Sequence, residues 1–149
     1  MGLTFDRVYG STLCRAVDTA ALAAGIPKVE VICDARLLEI DYGPYEAVPF
    51  SELRKEMFDF FHDPEHVAPP NGVEPISELM KRTGAFLQYF RQEEKAESVL
   101  VVTHGVAIRA VLGHLTGKTY AVWGMRVDNC VLYMTRLERG VFTPAEKLL

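Results

Sequence analysis

Val99-Leu100-Val101-Val102-Thr103-His104-Gly105 runs directly into Val106 to Leu115, and this junction decides the fold. Four of its first five residues are aliphatic and three of those are β-branched, as in a strand buried on both faces. A histidine and a glycine follow at once, and the chain continues at helical period. One imidazole therefore stands at the carboxyl end of a buried strand, beside a helix N-terminus. In open α/β sheets ligands bind at that place, and helix N-termini favour anions. Gly105 lets a ligand approach the backbone closely. A histidine so placed can transfer protons or act as a nucleophile near neutral pH, which points to an enzyme working on an anionic substrate.

The bulk properties bound this reading. A chain of 149 residues fits a single domain, 1–149, large enough to bury a core. Apolar residues make up 49% and charged residues 24%, as in an ordinary globular protein. A formal charge of −4 argues against nucleic acid as partner, which calls for a basic surface. No apolar run approaches the roughly 20 residues of a membrane span, and residues 1–7 lack the cationic and apolar segments of a signal peptide. Cys14, Cys33 and Cys130 are odd in number and scattered, a pattern of reduced thiols in a cytoplasmic protein.

Working outward from the junction, Asp6 to Tyr9 ends a short strand, Gly10 and Ser11 turn, and Thr12 caps a helix over Leu13 to Ala24 that Gly25 stops. Val29 to Cys33 is expected as a second strand and Ala35 to Glu39 as a short extended piece. Five prolines break the stretch from Ile40 to Gly72, within which a helix is expected over about 50–61. Glu74 and Pro75 open a long helix. Its apolar residues Ile76, Leu79, Met80, Thr83, Phe86, Leu87 and Phe90 keep helical spacing. Val131 to Thr135 is a last strand. Strands alternating with helices imply an α/β domain with helices on both faces of a largely parallel sheet.

Three constellations could carry chemistry. His104 is the first. Arg15 is the second: it falls in the first turn of a helix, where a cation opposes the dipole. A bound phosphate would compensate it, and a guanidinium fork matches phosphate oxygens. A solvated arginine beside a carboxylate is the plainer reading. The third is Glu39-Ile40-Asp41-Tyr42-Gly43-Pro44-Tyr45-Glu46, carboxylates in an aromatic loop. A desolvated carboxyl there could serve as a general acid, although such a loop by itself reads as surface. His62-Asp63-Pro64-Glu65-His66 is not read as a metal site, because Pro64 breaks the helix that would align the histidines. His114 suits a helix C-terminus and Glu74 a helix N-terminus.

In order along the chain, these pieces resemble the histidine phosphatase superfamily, the phosphoglycerate mutase-like fold. Val8-Tyr9-Gly10-Ser11-Thr12-Leu13-Cys14-Arg15-Ala16 is similar to its V-Y-S-S-P-L-x-R-A segment. Leu38-Glu39, Gly43 and Glu46 resemble its L-x-E-x-x-x-G-x-x-E-G loop, with Ala47 where a glycine is usual. Gly72-Val73-Glu74-Pro75 is a degenerate form of G-G-E-S, and Val101-Val102-Thr103-His104-Gly105-Val106 is similar to V-V-S-H-G-G. The resemblance implies a three-layer α/β/α domain that transfers a phosphoryl group to a histidine and then to water or a second hydroxyl. It implies that Arg15 clamps the phosphate and Glu39 protonates the leaving oxygen. His104 would stabilise the phosphoryl group without accepting it, while Gly105 and the Val106 N–H face the phosphate. Neither a cofactor nor a metal is implied.

The family's nucleophilic histidine belongs to an R-H-G motif on its first strand, and no Arg-His-Gly occurs among the 149 residues. The expectation is a chain truncated at its N-terminus, lacking that strand and the helix after it. Unpaired strand edges would then invite homo-oligomers. The expected function is phosphoric monoester hydrolysis of a small phosphorylated metabolite. The alternatives are a phosphate-binding or interaction protein without turnover and a phosphoglycerate mutase. A mutase is disfavoured by the modest loop between Glu39 and Glu74.

Overall fold

The computed structural model describes residues 3–53, 55–118, 123 and 125–148. Three parallel strands, β1 (Arg7–Gly10), β2 (Ile32–Cys33) and β3 (Val99–Val102), form a sheet in the order β2-β1-β3. Val8 is paired with Leu100 and Tyr9 with Val101. Strand alternation sends these two rows to opposite faces. Val8 and Leu100 pack with Ala20 and Ala21 of α1 (Cys14–Ala24), whereas Tyr9 meets Phe86 of α3 (Ile76–Gln92). Layers of helix, sheet and helix result, as the alternating pattern implies.

The elements form for local reasons. Gly25 adopts φ 69° and its N–H closes the end of α1 on the Ala21 carbonyl. In α3 the predicted stripe is the buried face: Ile76, Leu79, Met80, Thr83, Phe86 and Leu87 are all inside. Each full burial of a Leu or Phe there stabilises the fold by about 1.5–3 kcal/mol. Helix α4 (Gly105–Thr116) packs Val106, Ala107 and Ala110 into the same core as Met57 and Phe60 of α2 (Lys55–His62) and Leu79 of α3. His114 ties α4 to α3, its Nε2–H donating to the Met80 carbonyl at 2.8 Å. It is therefore an interhelix link and not only a dipole partner.

Several expectations need correction. The segment Lys28–Glu30 is a 3-10 turn that shortens the second strand to Ile32–Cys33, and Ala35–Leu37 is another. In the latter, Asp34 accepts the Arg36 N–H, a local bond that competes with extension. The helix expected over 50–61 divides into a 3-10 turn, Phe50–Glu52, and α2, with Arg54 outside the described residues. Thr12 does not cap α1. Leu13 is the cap residue and makes no side-chain bond, and the Leu13 N–H donates to Ser11 Oγ. The strand at 99–102 is not buried on both faces: only Leu100 is buried and the valines are half-buried, because β3 lies at the sheet's edge. The last strand, β4 (Tyr133–Met134), pairs antiparallel with β7 (Glu146–Lys147), apart from the main sheet. Between them β5 (Leu137–Glu138) and β6 (Val141–Phe142) form a hairpin.

Candidate active site

The carboxyl ends of β1 and β3 lie side by side, because Gly10 is paired with Val102. The residues that follow each strand must therefore meet. After β1, the Ser11 N–H donates to the Val102 carbonyl at 3.1 Å. After β3, His104 caps α4 in extended conformation and its carbonyl accepts the Ile108 N–H. The His104 Nε2 stands 2.6 Å from Ser11 Oγ, and Ser11 is fully buried. Burial first, and then the positive charges of Arg15 and Arg82, hold the His104 pKa below its ordinary value. Burial and these two cations therefore favour the neutral imidazole over the charged one.

Arg15 lies in the first turn of α1, exposed, and that turn holds no acidic residue. The carboxylate neighbour of the plainer reading is absent among the described residues. The Arg15 guanidinium is thus open to solvent at the start of α1.

Glu39 reaches the same place from a loop. Thr103 Oγ1 donates to the Leu37 carbonyl at 2.6 Å, which ties this loop to the end of β3. The Glu39 carboxylate then lies across the start of α4 and accepts the N–H groups of Val106 at 3.1 and 3.2 Å and of Ala107 at 3.1 Å. These are first-turn donors with no partner inside their helix, and a negative charge there is favoured by the dipole. The Val106 N–H, expected to face a phosphate, is engaged by Glu39 in this structure. A Cβ on Gly105 would meet Glu39 Oε2 only at 4.0 Å, so packing does not require glycine there.

The rest of the loop is fixed by close approach. Gly43 has φ 52°, and a Cβ there would lie 2.1 Å from the Gly72 carbonyl oxygen. Asp41 exchanges two hydrogen bonds with Glu74: its N–H donates to the carboxylate at 3.1 Å and its carbonyl accepts the Glu74 N–H at 2.8 Å. Glu74 thus precedes α3 and bonds across to the loop, while Pro75 holds the cap position. Tyr42 packs against Phe61, and burial together with Glu39 and Glu46 pushes its phenol up to about 12.

His62 and His66 stay apart from this cluster. The His66 Nδ1 pairs with Asp63 at 2.8 Å on the surface, and no group of three or more potential metal ligands gathers among the described residues. Two members of the site escape a sequence reading. Ser11 looks like a turn residue. Arg82 stands next to the apolar stripe of α3, where periodicity alone cannot tell a solvated arginine from an inward one.

Comparison with known proteins places the chain in a family. The chain is 28% identical over 137 residues to phosphoserine phosphatase 1 of Hydrogenobacter thermophilus, covering 89% of this chain and 65% of that protein's length. It is 32% identical to a 2,3-bisphosphoglycerate-dependent phosphoglycerate mutase of Methylobacterium sp. (strain 4-46), over 99% of this chain and 76% of the relative. The fold matches the crystal structure of the alpha-ribazole phosphatase from Shigella flexneri with a TM-score of 0.81 at 22% identity, over 96% of this chain and 73% of that one. The profile of the histidine phosphatase superfamily (branch 1) matches residues 1–146, and the chain belongs to that superfamily.

Proposed function

We propose that this chain provides most of the active site of a phosphoric monoester hydrolase that works through a phosphohistidine. The observation that carries the reading is the convergence of His104 and the Glu39 carboxylate at the start of α4, with the Arg15 charge acting on the same imidazole. Arg15 clamps the non-bridging phosphate oxygens. His104 stabilises the charge that spreads over the transferring group, and Gly105 leaves space above the backbone. Glu39, entering the substrate complex in its protonated form, gives that proton to the ester oxygen as the bond to phosphorus breaks, and takes one back from the water that attacks the phosphohistidine. The phosphoryl group passes to a histidine nitrogen and from there to water, releasing inorganic phosphate. For the Val106 N–H to reach the phosphate, the incoming anion replaces the Glu39 carboxylate at the helix terminus, and Glu39 turns to the leaving oxygen.

In this reading none of the other histidines is the phosphoryl acceptor. His62 belongs to α2, His66 bonds Asp63, and His114 is spent on Met80. The acceptor is the histidine of an Arg-His-Gly segment, which these 149 residues do not contain. The substrate is a small phosphorylated metabolite, and the reaction needs neither metal nor cofactor. Cys14, Cys33 and Cys130 are exposed free thiols, which suits a cytoplasmic enzyme. No helix of the described residues is long and apolar enough to cross a membrane.

A second reading, a phosphate-binding protein without turnover, draws on the same lack of Arg-His-Gly among these 149 residues. Hydrolysis of p-nitrophenyl phosphate by the protein expressed with its upstream coding sequence separates them. An upstream Arg-His-Gly with turnover supports the hydrolase. An upstream Arg-His-Gly with an inert protein refutes it. An in-frame stop close to Met1, with phosphate still bound, supports the binder.

A further inference from the structure

We propose that Arg82 is the positioning residue for Glu39, acting on the backbone that carries the carboxylate and not on the carboxylate itself. The inference rests on reading Glu39 as the proton donor and adds the group that fixes where that donor stands.

Among the described residues segment 36–39 has no strand partner to take its carbonyls, and backbone acceptors inside a fold require donors. Two side chains supply them. Arg82 Nη1 donates to the carbonyls of Arg36 at 3.0 Å and Leu38 at 2.7 Å, and Nη2 donates to that of Glu39 at 3.1 Å. Thr103 takes the remaining one, Leu37. The other edge of the guanidinium grips Glu74, with Nε 2.8 Å from Oε1 and Nη2 2.9 Å from Oε2. Glu74 in turn holds both backbone groups of Asp41. The chain is thus anchored on both sides of Glu39.

The geometry needs a planar fork on a rigid base. Arg82 side-chain exposure is only 20%, and it grows from α3 one residue before fully buried Thr83. A lysine ammonium has three donors on one nitrogen and could not serve five acceptors on two sides. Precise placement of a catalytic group normally depends on such supporting bonds from a regular element.

The test reads the Val106 and Ala107 amides by residue-resolved hydrogen exchange in the protein as it stands. Both donate only to Glu39, so their protection reports where its carboxylate is. Arg82→Lys keeps the positive charge beside Glu74 and loses the carbonyl bonds. It is expected to accelerate exchange at these two amides about tenfold, as Glu39→Ala does, with Leu100 and Phe86 unchanged. Glu74→Gln weakens the ion pair but leaves the three carbonyl bonds, and is expected to preserve protection at both amides. Unchanged protection in Arg82→Lys would overturn the proposal. So would uniform acceleration across the chain, or failure of both variants to fold, because each makes Arg82 a general stability residue. The readout needs no turnover, so an inert protein would sink the hydrolase reading and leave the placement of Glu39 by Arg82 intact.

Discussion

Replacing Glu39 separates its two duties, because glutamine keeps an acceptor oxygen and loses both the charge and the proton. In Glu39→Ala the Val106 and Ala107 N–H groups lose their partner, and both residues are buried. Unsatisfied buried donors cost about 1–3 kcal/mol, and the lost charge at a helix N-terminus costs about 0.3–1 kcal/mol more. In a domain of this size each kcal/mol lowers Tm by about 2–4 °C. The alanine variant should therefore melt about 3–15 °C lower, whereas Glu39→Gln should lose no more than about 4 °C. Activity should behave differently. Both variants lack the acid, so the competent enzyme should slow by about 10²–10⁴-fold on a simple alkyl phosphate. The loss should be much smaller on p-nitrophenyl phosphate, whose leaving group departs without a proton. Thermal scans and steady-state rates on the two esters provide the comparison. A Glu39→Gln enzyme slowed equally on both esters would refute the general-acid role, and a Glu39→Ala protein as stable as wild type would refute the helix contact.

The His104 pKa is lowered in the fold, so the unfolded chain takes up its proton first as pH falls below about 6.5. Stability from neutral His104 is full above that value and declines on acidification, so urea unfolding near pH 7.5 and near pH 5 should show a difference that His104→Gln reduces. Phosphate binding beside the imidazole should raise the His104 pKa, which NMR titration of the ring protons would register, and an unmoved pKa would place the anion elsewhere. Gly43→Ala should destabilise by about 3 kcal/mol or more, since the clash at 2.1 Å is with backbone and φ is positive. A Tm within a degree or two of wild type would contradict it. Ala47 holds φ 62°, so Ala47→Gly should raise stability by about 0.5–1 kcal/mol, measured by denaturant unfolding. The outer edge of β3 meets no strand among the described residues, and concentration-dependent oligomers are expected in light scattering.

Periodicity determined what period can encode. The junction at residues 99–105, the stop at Gly25 and the apolar face of α3 are all local patterns, fixed by side chains a few residues apart. The order of motifs sufficed to name the family, and Arg15, Glu39 and His104 were singled out as chemistry-bearing types beside turns and helix starts. Short elements were less legible. Val29 to Cys33 is β-branched enough for a strand, yet the Val31 N–H closes a turn on Lys28, and only Ile32 and Cys33 reach β1. The tertiary structure alone decided which donors and acceptors meet across long separations in the chain. It placed Ser11 on His104, the Glu39 carboxylate on Val106 and Ala107, and Arg82 beneath the loop. No local rule encodes those contacts, because they arise where β1 and β3 end side by side and α3 packs behind them. The sequence by itself thus pointed to a helix terminus suited to an anion, and folding decided that one of the chain's own carboxylates occupies it.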